Sequence, residues 1–337
     1  MNRTLSIAAL GIVGYLAYRA LKPRYDFRNK HVLITGGARG LGLVLARRLV
    51  AAGARITICS RDANELRSAQ VDLVARGGRV IAPAYDVTDP EQVRQLVAHA
   101  QRGNGPIDVL VNNAGVIRVG PDEEMREVDF RQSIDTHFWA AWHLCRELIP
   151  EMKRRGGRIV NVASFGGKVA VPHMLPYSTG KFALVGFSTG LRAELAEHGV
   201  VVTTVSPGLM RTGSHLHAEF KGRHEEEYAW FALGNGLPGF SMSAETAARR
   251  ILAACAAGDA ELVLGLPAKL GTIANAVCPN LTADLLAAVN RWVLPEPGGI
   301  GPQIKTGEHS RGLLPSVFTT LSDRAAVANN ETATTPT

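Results

Sequence analysis

Apolar runs alternate with longer helical segments over most of the chain. From about residue 29, β-rich runs occur at 31–35, 55–59, 79–85, 107–115, 158–164, 200–206 and 261–266. The segments between them favour helices, among them 62–76, 90–101, 125–155 and a helix from about 177 to 198. Strands that alternate with helices predict βαβ units, a parallel sheet and right-handed crossovers. Because the runs are continuously apolar, we expect an α/β fold with helices on both faces of the sheet.

The alternation ends after Pro207. Residues 212–242 are polar, aromatic and glycine-containing without a clear strand, and 267–294 favour one or two amphipathic helices. A Pro/Gly/Ser/Thr-rich composition predicts a largely disordered tail over 295–337, apart from a short element near 313–321. The sequence therefore predicts a main domain at 29–266 with a lid at 209–242, a helical extension at 267–294, and that tail.

The N-terminal segment contains an uncharged apolar run, "TLSIAALGIVGYLAY", from Thr4 to Tyr18. As a helix this run spans ~22 Å, and its continuation to Leu21 nearly spans a ~30 Å hydrocarbon core. Several Lys and Arg residues follow the run, and positive residues stay on the cytoplasmic side of a membrane. We therefore expect residues 1–22 to anchor the protein in a membrane, with the main domain facing the cytoplasm.

Two alternatives remain for this segment. A cleaved signal peptide also carries an apolar run of this length, although no small-x-small cleavage site lies near the end of this one. The segment could instead be a hydrophobic helix docked on this protein or on a partner, which would leave a soluble cytoplasmic protein.

Charge and cysteine content narrow the classes of partner. The net charge is +7, but no stripe interleaves basic with aromatic residues, so we do not expect a nucleic-acid partner. Cofactor phosphates or an anionic membrane surface are simpler partners for this charge. The four cysteines are far apart and form no CxxC motif, so we expect neither a disulfide framework nor a metal site.

A glycine-rich turn, "TGGARGLG" at 35–42, follows the first predicted strand and opens the first predicted helix. The glycines at 36, 40 and 42 let the backbone approach a ligand, and they leave bare the helix N-terminus, whose N–H groups bind pyrophosphate. The spacing is GxxxGxG, not the general GxGxxG. A strand, a glycine turn and a helix at the start of a doubly wound pattern predict a dinucleotide site.

The end of the second strand predicts which dinucleotide binds there. An acidic residue at this place would hold the ribose 2′-hydroxyl of NAD, but the strand ends with Ser60 and Arg61. Arg39 in the glycine turn can reach the same ribose, and two guanidinium groups suit a 2′-phosphate. These residues favour NADP(H) over NAD(H). Asp62 would weaken the preference if its carboxylate turned inward, but we expect it to begin the next helix.

The chain also contains "NNAG" at 112–115, a serine thirteen residues before a YxxxK motif, and "PG" at 207–208. Together with the glycine turn, these motifs resemble the short-chain dehydrogenase/reductase family over about 29–266. The resemblance implies a single Rossmann-fold domain, doubly wound around a seven-stranded parallel sheet. It implies a nicotinamide cofactor over the C-terminal ends of the strands, with Asp86 facing the adenine. The expected cofactor-binding residues are Gly36, Arg39, Gly40, Leu41, Gly42, Ser60, Arg61, Asp86, Val87, Asn113, Ala114, Gly115, Tyr177, Lys181, Pro207, Gly208 and Thr212.

Tyr177 and Lys181 lie four residues apart, which places them on one face of a helix. A free tyrosine has a pKa near ~10, and a nearby ammonium or a positive nicotinamide favours its phenolate. Tyr177 is therefore the expected general acid/base in the interconversion of a carbonyl and an alcohol. The resemblance gives Lys181 a second role on the nicotinamide ribose, and it gives Ser164 the substrate oxygen. Taken singly, Ser164 could end a strand and Tyr177 could fill a core.

One position departs from the family pattern. The long helix often carries an asparagine that supports a water relay to the lysine, and the matching residue here is His137. A histidine can exchange a proton but is larger and titrates near neutrality. His137 could therefore take the fourth catalytic role in a rewired relay, or it could only fill space.

The predicted lid suggests the kind of substrate. Its apolar and aromatic residues favour an apolar or lipid-like carbonyl or alcohol, although each alone could belong to an amphipathic helix; they are Met210, Leu216, Phe220, Tyr228, Trp230, Phe231, Leu237 and Phe240. The competing hypothesis is a non-catalytic, membrane-tethered NADP-binding sensor or scaffold on the same fold. The retained serine, tyrosine and lysine favour the enzyme, which could also form a homo-oligomer.

Overall fold

The structure is a computed structural model that describes residues 23–236, 240–313 and 319–332. The predicted anchor at 1–22 lies outside the described residues, as do Leu237 in the lid and parts of the tail. Among the described residues, no helix combines the length and the apolarity needed to cross a membrane.

A seven-stranded parallel sheet forms the centre of the molecule, as predicted. The strands follow the order β7-β6-β5-β4-β1-β2-β3 across the sheet. The chain thus builds outward from β1 on one side, through β2 and β3, before it crosses to β4 on the other side. Their bounds are β1 His31–Thr35, β2 Arg55–Cys59, β3 Arg79–Ile81, β4 Val109–Asn112, β5 Gly157–Val162, β6 Val200–Pro207 and β7 Glu261–Leu264.

Two layers of helices cover the sheet, because the strands are apolar on both faces. Val32 and Ile34 of β1 point into a core shared with the helices at 40–51 and 244–257. Leu33 points the other way, into a core shared with the helices at 90–104 and 140–155. All three side chains are fully buried, and burial stabilises each by about 1.5–3 kcal/mol. The alternation along β1 thus fixes which helices pack on which face.

The helices agree with the predicted segments, apart from one irregular turn. The long helix predicted over 125–155 contains a π-helical turn at Asp135–Trp139, which separates α4 from α5 and contains His137. Such widened turns often occur at functional sites. The helices are α1 Gly40–Ala51, α2 Ala63–Ala75, α3 Pro90–Asn104, α4 Glu127–Ile134, α5 Ala140–Arg155, α6 Leu175–Leu195, α7 His224–Gly236, α8 Ala244–Ala257, α9 Leu266–Val277, α10 Pro279–Trp292 and α11 Thr320–Ala328.

The lid and the tail differ from expectation. Residues 212–242 contain α7, and the two-residue strand Met210–Arg211 pairs with Met242–Ser243. The described part of the tail, expected to be largely disordered, includes α11, whose Ala326 is fully buried. Small side chains allow this helix to approach the backbone at Gly213 closely. The tail therefore packs on the domain even though few of its residues are apolar.

Candidate active site

A cleft of about 390 Å³ opens at the C-terminal ends of β1 and β4. This is where the strand order changes direction, the usual ligand position in doubly wound sheets. All predicted cofactor residues except Gly40 and Gly42 line the cleft, and so do Ser164 and His137. The structure therefore brings the predicted site together.

The two remaining glycines belong to the glycine turn and are needed for its shape. Gly36 and Gly40 have φ angles of +61° and +55°, which side chains strain to adopt. A Cβ at Gly42 would lie 2.1 Å from the carbonyl oxygen of Gly36. Asn113 fastens the turn, since its Nδ2 donates to the carbonyl oxygens of Thr35 and Gly36 at 3.1 and 3.0 Å. The turn is thus a rigid loop at the N-terminus of α1.

Asp62, shortly after β2, begins the next helix as the sequence predicts. Asp62 caps α2, because its Oδ1 accepts from the backbone N–H groups of Asn64 and Glu65 at 2.8 and 3.0 Å. Its carboxylate is therefore engaged at the helix N-terminus, as predicted. Arg61 is largely exposed and lies 3.9 Å from the carboxylate of Asp86. Its guanidinium can reach a ligand at the open edge of the cleft.

Arg39, the second cation beside Arg61 in the cleft, contacts two carboxylates. Its Nε lies 3.5 Å from Glu65, and its Nη1 donates to Oε2 of Glu331 at 3.2 Å. Glu331 comes from the tail and is only 5% exposed. Sequence reasoning missed Glu331, because a polar tail of this composition gives no signal that one carboxylate is buried. Glu331 is 292 residues from Arg39, beyond any local pattern.

Ser164, Tyr177 and Lys181 stand on one wall of the cleft. Ser164 follows β5, and its Oγ accepts from the N–H of Gly166 at 3.0 Å. The Lys181 Nζ is buried, lies 5.7 Å from the centre of the Tyr177 ring, and donates to the carbonyl oxygen of Val162 at 2.9 Å. The three groups are thus held by the end of β5 and the first turns of α6.

The protonation of these groups differs from expectation in one respect. Burial lowers the pKa of Lys181 from 10.5 to about 7. Burial also raises the pKa of Tyr177, and a hydrogen bond with Ser164 opposes that change only in part. The expected lowering of the tyrosine pKa by Lys181 is therefore absent here. A lysine that readily loses its proton cannot stabilise a phenolate by full charge.

His137 has a defined tautomer. Its Nδ1 lies 3.1 Å from the Oγ of Ser133, which itself donates to the carbonyl oxygen of Pro176 at 2.6 Å. The imidazole must therefore donate from Nδ1, and its Nε2 accepts from the N–H of Val116 at 3.3 Å. Burial, and then the charge of Lys181, hold the pKa of His137 well below its usual range. The expectation that it titrates near neutrality is thus wrong for this site.

Comparison with known proteins assigns the family. Residues 30–219 match the family model described as short chain dehydrogenase, which is more than half of the chain. This chain belongs to the short-chain dehydrogenase family. The match to the family model ends at residue 219, before α7 of the predicted lid.

The chain is similar to one curated protein and two solved structures that illustrate the range of relatives. Ketoacyl reductase HetN from Nostoc is 39% identical over 181 residues, which are 53% of this chain and 63% of that protein. An actinorhodin polyketide ketoreductase solved with NADPH is 30% identical, with a TM-score of 0.63 over 70% of this chain and 96% of that one. L-Sorbose reductase from Gluconobacter frateurii, solved with NADPH and L-sorbose, is 26% identical, with a TM-score of 0.64 over 72% and 97% of the two chains.

The lid of this short-chain dehydrogenase is built differently from the sequence-based expectation. Phe220, Tyr228 and Phe231 are buried together in a core of their own, which includes Met174. Phe240 is 60% exposed, and among the apolar and aromatic lid residues named above that the structure describes, only Met210 lines the cleft. Aromatic residues in the lid thus stabilise α7 against the domain, and the sequence pattern mistook this core for a substrate surface.

Proposed function

We propose that this short-chain dehydrogenase is an NADP(H)-dependent oxidoreductase that interconverts a carbonyl and an alcohol. Family membership and the ketoacyl reductase relatives support the general reaction. The observation that carries the proposal is the grouping of Ser164, Tyr177 and Lys181 on the cleft wall facing the glycine turn.

The residues present fit a dinucleotide. Gly42 has no room for a Cβ, and Gly36 and Gly40 have a left-handed backbone. These three glycines shape the turn so that a ligand can come close to the backbone at the N-terminus of α1. A nicotinamide cofactor bound there supplies or accepts the hydride. Its pyrophosphate would be held by the N–H groups that open α1, and its adenine would lie near Asp86 and Val87.

The chain's own residues supply the proton chemistry. In carbonyl reduction, the Tyr177 hydroxyl gives its proton to the oxygen of the substrate, and the Ser164 Oγ holds that oxygen. Lys181, whose pKa burial lowers to about 7, can replace the proton that Tyr177 loses, because its ammonium releases a proton readily near neutral pH. We assign His137 a positioning role, because its neutral ring joins the Val116 backbone to Ser133 and, through it, to Pro176, the residue before Tyr177.

The preference for NADP(H) is supported by Arg39 and Arg61 at the adenosine end of the cleft. Two structural relatives were solved with NADPH. Apolar side chains that line the cleft, among them Val116, Ile117 and Met210, support a preference for an apolar substrate.

One assay tests the proposed function against a non-catalytic sensor. NADPH oxidation is followed at 340 nm with a panel of apolar ketones, aldehydes and sugars, using the wild type and Tyr177→Phe. We expect turnover of at least one carbonyl by the wild type only, with apolar members preferred. NADPH binding without turnover of any carbonyl would favour the sensor, and a preference for sugars would refute the apolar part of the proposal.

A further inference from the structure

Residues 319–332, here called the C-terminal segment, cross the glycine turn. The N–H of Gly40, at the start of α1, donates to the carbonyl oxygen of Asn329 at 2.9 Å. The Nδ2 of Asn330 donates to the carbonyl oxygens of Ala38 and Glu65 at 3.0 and 3.1 Å. A backbone carbonyl of the segment therefore uses an N–H group at a helix N-terminus, the kind of group that binds phosphate.

Glu331 places a carboxylate at the same spot. Its Oε2 lies 3.2 Å from Nη1 of Arg39 and 3.3 Å from Nε2 of His217. Its Oε1 is 2.5 Å from the point where a Cβ would stand at Gly40. Helix N-termini and guanidinium groups are the standard partners of phosphate oxygens. The Glu331 carboxylate thus meets the groups expected for the anionic part of the dinucleotide.

Contacts outside the glycine turn also attach the C-terminal segment to the domain, so it can compete with a dinucleotide for the turn. Asp323 of α11 lies 3.2 Å from Nε2 of His215, and Ala326 packs on Gly213. The Nδ2 of Asn329 donates to the carbonyl oxygen of Thr212 at 3.3 Å. The contacts on both sides of the cleft mouth hold the segment over the phosphate position, while Tyr177 and Lys181 still line the cleft.

We propose that the C-terminal segment is a built-in occupant of the dinucleotide phosphate subsite, which NADP(H) must displace to bind. The proposal rests on the proposed function. It makes the segment autoinhibitory, because the apparent dissociation constant rises in inverse proportion to the fraction of molecules with the segment released. A segment that is released in one molecule in ten would weaken binding about tenfold.

Three substitutions in the full chain and one shortened chain test this displacement by NADPH titration, followed by fluorescence. Asn330→Ala removes two side-chain hydrogen bonds of the segment, and Glu331→Gln removes its buried charge. A chain that ends at Leu313 removes the segment altogether. Glu296→Gln, an equivalent change at a side chain that is 87% exposed, serves as the control.

We expect the shortened chain to bind NADPH about tenfold more tightly, or by ~1.4 kcal/mol. The two point variants should gain several-fold, and Glu296→Gln should stay within twofold of the wild type. NADH must gain from the truncation as well, because both dinucleotides carry the pyrophosphate. If the shortened chain does not fold, Asn330→Ala and Glu331→Gln decide the matter, since each changes only a side chain.

Hydrogen exchange gives an independent measurement on the unaltered chain. Saturating NADPH should speed amide exchange in residues 320–332, because displacement exposes α11. Weaker NADPH binding after truncation, or slower exchange on adding NADPH, would make the segment a clamp and overturn the proposal. NADPH binding that is the same in all variants would overturn it too. An absence of NADPH binding in every form would instead refute the proposed function, and this inference with it.

Discussion

Replacing Lys181 by methionine should stabilise the protein while abolishing its activity. The lysine is 4% exposed, and burial lowers its pKa from 10.5 to about 7. Each pKa unit corresponds to about 1.36 kcal/mol, so holding the amine in this site costs roughly 4 kcal/mol near pH 7. Methionine has a similar length and no charge, but it leaves the carbonyl oxygen of Val162 without its donor, at a cost of about 1–3 kcal/mol. The expected net gain is about 2 kcal/mol at pH 7.

The pH dependence of stability distinguishes the lowered pKa of Lys181 from a general effect of methionine on packing. Between pH 7 and 10.5 the unfolded chain holds the Lys181 proton more tightly than the folded chain, so the free energy of unfolding rises with pH. Over pH 7 to 8.5 this contribution is about 1.5 kcal/mol in the wild type and absent in the variant. Buried thiols such as Cys145, whose pKa is raised to about 12, act in the opposite direction but only at higher pH.

Urea unfolding of both proteins without cofactor, at pH 7.0, 7.5, 8.0 and 8.5, measures the difference. Groups other than Lys181 contribute equally to the two proteins and cancel. The stability advantage of Lys181→Met should shrink steadily as the pH rises. A constant difference across the range, or a variant that is less stable at pH 7, would refute a buried amine with a lowered pKa. It would also remove the argument that Lys181 exchanges its proton near neutral pH.

Three further predictions concern the site and the N-terminus. Tyr177→Phe should keep NADPH binding within about twofold and lower kcat by about 10²–10⁴-fold, since only the transferable proton is lost; survival of turnover within a few-fold would reject Tyr177 as the acid. Arg61→Asp should weaken NADPH binding at least tenfold and NADH binding much less; equal losses in two parallel titrations would refute a 2′-phosphate contact. Deleting residues 1–22 should leave a soluble, active enzyme, whereas the full chain should stay with membranes through a high-salt wash; release by salt alone would contradict an apolar anchor.

The sequence predicted the parts of the site that depend on local geometry. The glycine turn requires only a strand that ends, a turn, and a helix that begins, all within a few residues. Tyr177 and Lys181 are neighbours because they are four residues apart on a helix. Asp62 caps α2 because a carboxylate at that place satisfies free N–H groups. Each of these predictions used contacts between residues close in sequence, where spacing determines geometry.

The features that were missed depend on distant contacts or on burial. The lid aromatics have the same composition whether they face a substrate or one another, and only packing places Phe220 against Tyr228 and Phe231. The pKa of Lys181 depends on how completely the cleft wall encloses its amine. The tautomer of His137 depends on Ser133 and Pro176, which meet only when α4 and α6 pack together. These contacts could not be predicted from the pattern of residues along the chain, because they form only when distant parts of the chain pack together.

The adenosine end of the cleft shows why a rule based on one position is incomplete. The absence of an acid after β2 favoured NADP(H), because an acid there would hold the ribose hydroxyl and repel a phosphate. In the folded chain, Glu331 brings a carboxylate to Arg39 from the C-terminal segment. Burial raises the pKa of this acid to about 7, so near neutral pH a substantial fraction carries a negative charge at the cation expected to attract the 2′-phosphate. Under the displacement proposed above, Arg39 becomes available to a 2′-phosphate only after the C-terminal segment has left, so the residues after β2 do not by themselves determine how tightly NADP(H) binds.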